Sequence, residues 1–173
     1  MGGRLFNARS ETASSKPSFR AAFRKRRCLV VADGFYEWTP RSRDHQPHHF
    51  RARSGGLLGM AGLYEHWLGP GGESIDSCTV LTTDASEDVA GVHHRMPVLL
   101  PPGDFAGWLD PDTAVDRTEA FLHPADAGTL VGTAVTRRVN SPRFDAPECL
   151  LPDPDEGGER SEGGFVLDGG RAG

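Results

Sequence analysis

Three short segments carry polar side chains where surface filler would be out of place: Asn7-Ala8-Arg9-Ser10-Glu11-Thr12, Ala32-Asp33-Gly34-Phe35-Tyr36-Glu37-Trp38 and His93-His94-Arg95-Met96-Pro97-Val98. Glu37 stands between two aromatic residues, where a core strand prefers an apolar one. A carboxyl desolvated among aromatics has its pKa raised and can give and take a proton near neutral pH. Strand alternation turning Glu37 outward to solvent is the plainer alternative, and the residues alone leave both open. His93 and Arg95 are two apart and share one face of an extended segment. An imidazole able to act as acid or base would then lie beside a guanidinium able to clamp a phosphate, unless the histidine is purely structural. Asn7 and Arg9 are also two apart, an amide and a guanidinium suited to a sugar oxygen and a neighbouring phosphate.

The elements that must position these groups are legible from patterning. Pro17 to Arg26 begins with proline and places Phe19, Ala22 and Phe23 at i, i+3 and i+4, which predicts a short amphipathic helix with an arginine-rich outer face. Cys28 to Ala32 is an apolar run ending at Asp33-Gly34, and Phe35 to Trp38 follows it up to Pro40, so two short strands around a tight turn are expected. Residues 49–53, 57–67 and 77–83 read as strands, with glycine-rich turns between them, and an antiparallel meander is the economical arrangement. A short helix is expected over 102–109 with Phe105 and Trp108, a further helical turn over 124–129, and a strand over 134–139. From Pro152 the chain is glycine-rich and acidic with few apolar residues, which predicts a disordered tail over 152–173 after a domain spanning 1–151.

A chain of 173 residues, 37% hydrophobic, supports one domain with one core. No apolar run approaches the roughly 20 residues of a membrane span, and no basic segment with an apolar stretch opens the chain, so neither secretion nor membrane insertion is expected. Met1-Gly2 resembles a myristoylation start, but Phe6 occupies the position that wants Ser or Thr. Cys28, Cys78 and Cys149 stand far apart without a C-x-x-C pair, which suits a reducing cytoplasm better than a disulfide framework or a zinc site. Cys28, with apolar neighbours, reads as a core residue. The doublets His48-His49 and His93-His94 point their members to opposite faces if extended, so no metal and no other cofactor is expected.

Net charge is −5, which by itself argues against nucleic acid, but the charge is unevenly spread. Residues 1–53 hold twelve of the nineteen Lys and Arg against four acids, a balance of +8, and the remainder is −13. A basic half of this kind can supply a phosphate-binding face through counterion release. A solvated basic helix plus an acidic tail accounts for the charge equally well.

Taken in order, N-A-R-S-E-T, R-R-C-L-V-V-A-D-G-F-Y-E-W, T-T-D-A, V-H-H-R-M-P-V-L-L and V-N-S-P resemble the SOS response-associated peptidase (SRAP) family from about Leu5 to Leu151. The resemblance implies an α+β fold, rich in antiparallel strands with a few short helices. It also implies binding of single-stranded DNA and covalent attachment to abasic sites during the DNA-damage response, in the cytoplasm and at the nucleoid when bound. By the same resemblance Asn7, Glu37 and His93 surround the reactive centre, while Arg9, Trp38, Thr82 and Arg95 line the DNA-binding cleft. His93 would assist opening of the sugar ring, Glu37 would shuttle protons during Schiff-base formation, and Asn7 would hold the adduct.

Family members attack with an N-terminal cysteine uncovered by self-processing, whose amine and thiol close a thiazolidine ring on the abasic sugar. Here the sequence departs: Met1-Gly2-Gly3-Arg4 stands directly before Leu5-Phe6-Asn7, where the family has Met-Cys-Gly-Arg and then a long segment. No nucleophile is therefore assigned. The expectation is an N-terminally incomplete chain that, as printed, does not form the crosslink, with a degenerate paralogue that only binds DNA as the alternative. A metal-dependent hydrolase built on His93 and His94 is the reading from a different class.

Overall fold

A computed structural model describes residues 6–39 and 45–154. Residues 1–5, Pro40 to Asp44 and most of the tail expected to be disordered lie outside the described residues. The strands are β1 (Asn7–Arg9), β2 (Arg27–Ala32), β3 (Phe35–Trp38), β4 (Pro47–Ala52), β5 (Leu58–Leu68), β6 (Ser74–Asp84), β7 (Arg95–Pro97), β8 (Leu99–Leu100) and β9 (Leu130–Ala134). The helices are α1 (Ser10–Ala13), α2 (Arg20–Lys25), α3 (Glu87–Ala90), α4 (Phe105–Leu109) and α5 (Val115–Glu119).

The strands form two sheets, so the expected β-rich α+β fold is observed, while the single meander is not. The larger sheet runs β1-β6-β5-β2, with β7 also on β6 and β8 also on β5. The smaller runs β3-β4-β9. Only β5 and β6 form the long hairpin that the glycine-rich turn at 69–72 implied. β1 pairs with β6 in parallel, Asn7 opposite Val80 and Arg9 opposite Thr82, the one parallel ladder among the described strands.

The turn at Asp33-Gly34 does not close a hairpin, because it carries the chain from the larger sheet into the smaller. A Cβ at Gly34 would lie 2.2 Å from His49 Nε2 and 2.5 Å from the Phe50 carbonyl, so only glycine lets the crossover pass so close to β4. β4 pairs with β3 and β9 rather than with β5 for the same reason.

Two apolar clusters lie on opposite faces of the larger sheet. On one, Ala8, Ala61, Leu63, Leu81 and Val98 pack with Phe19, Ala22 and Phe23 of the α2 region and with Trp108 of α4. The i, i+3, i+4 spacing of Phe19, Ala22 and Phe23 thus buries the expected face. On the other, Met60, Leu58 and Val80 meet Phe50, Ala52 and Leu130 of the smaller sheet, joined by Phe35. Arg27 is buried, and its guanidinium donates to the carbonyls of Trp108, Phe23, Arg24 and Asp110, which ties α2 to the chain beyond α4.

Three local expectations are corrected. Residues 124–129 are not helical: the Asp88 carboxylate accepts the Gly128 and Leu130 backbone N–H groups, both at 2.9 Å, and holds a loop there. The last strand is β9 at Leu130–Ala134, not 134–139, because the Thr136 hydroxyl accepts the Arg138 N–H and starts a 3-10 turn over Arg137–Asn140. Cys28 is half-buried rather than core, its thiol pushed up by burial and by Cys78 nearby.

Candidate active site in the gap between the sheets

Strand alternation decides what faces the gap. In β3, Phe35 packs into the intersheet cluster against Phe50, ring centroids 5.4 Å apart, so Glu37, two residues on, points to the same side. This answers the question left by the sequence: Glu37 does not alternate outward to solvent but is only 22% exposed. In β6, Val80 packs into that cluster, and its partner Asn7, with the next pair Arg9 and Thr82, lies on the face turned toward the smaller sheet.

His93 bridges the two sides. It sits between α3 and β7, and its Nδ1 lies 3.4 Å from Glu37 Oε2, with the imidazole 26% exposed. The same Nδ1 is 2.9 Å from the Arg95 carbonyl and 3.2 Å from the Arg95 N–H, so the ring is oriented by the backbone two residues on. Burial pushes the Glu37 carboxyl above the ordinary carboxylate range, and the nearby His93 charge opposes that shift. A carboxyl that holds its proton more tightly, next to an oriented imidazole, is a pair suited to moving protons in both directions.

Arg95 belongs to this corner, but its charge is engaged. Nη1 donates to Glu11 Oε1 at 2.6 Å and to Asp84 Oδ1 at 2.7 Å, while Nη2 donates to Glu11 Oε2 at 3.0 Å and to the Thr82 carbonyl. Its side chain is only 11% exposed. The guanidinium fastens α1 and β6 to β7, and its backbone fixes His93. The Arg95 side chain raises no open cation toward the gap, whereas Arg9 is exposed and makes no ion pair among the described residues. Thr82 Oγ1 donates to the Ala8 carbonyl at 3.5 Å, holding β1 in place.

The structure thus brings Glu37 and His93 into contact, with Arg95, Thr82 and Arg9 following in one connected chain of backbone and side-chain contacts. Asn7 lies opposite Val80, on the face of the larger sheet that carries the intersheet cluster, but makes no hydrogen bond to Glu37 or His93 among the described residues. Trp38 lies elsewhere: with Tyr36 it is on the opposite face of β3 from Glu37, and its indole N–H donates to Asn140 Oδ1 at 2.7 Å. β3 is an edge strand, so a ligand rounding that edge meets Glu37 on one side and Trp38 on the other.

Sequence reasoning gave no role to Glu11, Asp84 or Asn140, although each falls inside a quoted motif. The His94 ring lies tilted against that of His93, centroids 4.5 Å apart, but the described residues contain no group of three or more His, Cys, Asp or Glu placed to hold a metal ion.

Residues 1–142 match the family model described as SOS response associated peptidase (SRAP). The chain is 38% identical over 154 residues to the abasic site processing protein YoqW of Bacillus subtilis, covering 87% of this chain and 68% of that one. It is 40% identical over 168 residues to the abasic site processing protein HMCES of Gallus gallus, covering 84% of this chain and 49% of that one. A crystal structure of a Bacteroides thetaiotaomicron protein superposes with a TM-score of 0.77 at 27% identity, over 85% of this chain and 65% of that one. A Bordetella bronchiseptica protein gives 0.65 at 40% identity, over 75% and 64%. The chain therefore spans about two thirds of the bacterial relatives and about half of the vertebrate one.

Proposed function

Since this chain belongs to the SOS response-associated peptidase family, we propose that it binds single-stranded DNA at abasic sites and that Glu37 and His93 act on the sugar that has lost its base. The observation that carries this reading is the contact of two proton-transfer groups, Glu37 on β3 and His93 on the segment before β7, 3.4 Å apart, with the exposed Arg9 on the neighbouring strand β1. The names of the relatives supply the substrate class.

An abasic deoxyribose rests mainly as a closed hemiacetal. Opening it takes the proton from the anomeric hydroxyl and delivers one to the ring oxygen as the C1–O4 bond breaks, leaving an aldehyde with no change in composition. One partner of the Glu37–His93 pair accepts the first proton and the other supplies the second. Asn7 holds the opened sugar, Arg9 pairs with a neighbouring phosphate, and Thr82 keeps β1 beside β6. Arg95 serves as the anchor that orients His93, its engagement with Glu11 and Asp84 leaving the phosphate to Arg9.

Capture of the aldehyde by an amine and a thiol, with loss of water as the thiazolidine closes, is the covalent step implied by the family. Ring opening and strand binding are the steps assigned to the described residues. A gel-shift titration with single-stranded abasic DNA tests the binding half. Arg9→Ala is expected to weaken binding several-fold and to flatten the salt dependence by about 0.7 in log–log slope, one phosphate contact on a single strand. Unchanged affinity and slope would refute the cleft assignment. A shift that survives denaturant would add covalent capture to binding.

A further inference from the structure

The doublet His48-His49 lies on β4, and its two members leave the strand on opposite faces. His49 meets Tyr36 on the outer face, ring centroids 5.1 Å apart. His48 is the cross-strand partner of Glu37, as Phe50 is of Phe35. Residues directly opposite each other in an antiparallel pair share a face, and the Phe35–Phe50 stack identifies this face as the one turned toward the larger sheet. His48 therefore stands beside the Glu37 carboxyl, on the side of the smaller sheet that meets His93.

The surroundings of the ring are uneven. One side lies along Phe50, ring centroids 6.5 Å apart and planes 28° from parallel. Across the other flank of β4 stands Ala134, whose side chain has no polar atom. Nδ1 is enclosed and has no hydrogen-bond partner among the described residues, while Nε2 is not enclosed in this way. A neutral imidazole carries one N–H and one bare lone pair, and a buried N–H without an acceptor is the rarer defect. The ring proton therefore belongs on Nε2, so that His48 offers a donor at the gap and buries only the lone pair. A phenyl ring would fill the same space with no orphaned nitrogen, which makes imidazole the poorer choice for stability alone. Choices of that kind collect where a side chain has work to do on a ligand.

We infer that His48 is a third residue that touches the sugar: its Nε2–H donates to the anomeric oxygen, the atom that loses its proton to the Glu37–His93 pair and becomes the aldehyde oxygen. The inference rests on the proposed ring opening and extends it. No bond to His48 forms or breaks, and both proton transfers stay with Glu37 and His93. As the anomeric hydroxyl gives up its proton, negative charge gathers on that oxygen, and a fixed donor there lowers the barrier more than it tightens binding. Directly opposed residues of an antiparallel pair have their β carbons about 5 Å apart, so an oxygen held at Glu37 falls within reach of His48.

The test uses the whole chain and a fluorescein-labelled single-stranded oligonucleotide with one abasic site, and follows how fast an aminooxy probe captures the open aldehyde when all the DNA is bound. His48→Phe is expected to keep the wild-type melting temperature and affinity while losing about tenfold in this bound-state rate, the worth of one hydrogen bond. His48→Gln, whose amide N–H reaches the place of Nε2–H, is expected to recover most of that loss. Nitrogen NMR of the imidazole is expected to find the proton on Nε2. Equal rates for wild type and His48→Phe would overturn the inference while leaving the Glu37–His93 chemistry in place. The same follows from His48→Gln as slow as His48→Phe, from a proton on Nδ1, or from a His48→Phe protein that melts well below wild type. Failure of wild type to speed the capture at all would overturn the ring-opening reading together with the role of His48.

Discussion

Glu11 and Glu37 stand on either side of the His93-Arg95 segment, and their surroundings push them in opposite directions. Glu11 accepts both arms of the Arg95 guanidinium and is held below the ordinary carboxylate range, chiefly by that hydrogen bond. Glu37 meets the His93 ring, which is no match for a guanidinium, and is pushed up by burial. One carboxyl has exchanged its water for a matched cation, while the other has lost water and gained less in return. The difference teaches which corner is framework and which is chemistry: a paired carboxylate fixes strands, and an underpaired one beside a histidine can move protons.

The largest expected effect is on reactivity. If wild type speeds labelling of abasic single-stranded DNA by an aminooxy probe, which reads the open aldehyde, Glu37→Gln and His93→Ala should each lose that acceleration by about a hundredfold or more, the usual worth of a positioned acid or base. An Arg9-level loss of binding with no change in bound-state rate would place the chemistry elsewhere. Next in size is Arg95→Ala, which leaves Glu11 and Asp84 without their cation while keeping the backbone groups that orient His93. A loss of about 1–3 kcal/mol is expected by chemical denaturation, kept modest by the solvent exposure of both acids. An Arg95→Ala protein as stable as wild type would remove the framework role.

The smaller effects separate the two carboxylates by sign. A raised pKa means the folded state holds the Glu37 proton more tightly than the unfolded state, so ionisation costs stability as pH rises from the ordinary carboxylate value through the raised one. Glu37→Gln should therefore melt higher than wild type at neutral pH, by up to about 1 kcal/mol, and this gain should vanish in acid where wild type is protonated too. A lowered pKa works the other way. Glu11→Gln should melt slightly lower than wild type at neutral pH, by roughly 0.5 kcal/mol for a half-exposed pair, with the difference disappearing as pH falls through the lowered value. Matching signs in the two variants would break the contrast.

Much of this was legible in the residues, for identifiable reasons. The α2 region followed from Phe19, Ala22 and Phe23, and the β5–β6 hairpin from the glycine-rich turn between two strand-like runs, because local spacing determines local burial. The crossover at Gly34 was not legible, since an Asp-Gly between two short strands signals a hairpin unless the approach of His49 from far along the chain is known. The state of Arg95 was hidden for the same reason: Glu11 is 84 positions away in sequence, and nothing local says that the two meet. Trp38 and Glu37 are neighbours in sequence, and alternation separates them onto two faces of one edge strand, which the resemblance did not reveal.

A crystal structure of the protein with a short single-stranded oligonucleotide containing one abasic site tests the placement of the chemistry most directly. The sugar carbon that has lost its base is expected within hydrogen-bonding reach of both Glu37 and His93, with an adjacent phosphate at Arg9. A sugar bound on another surface, with the Glu37–His93 pair untouched, would contradict it.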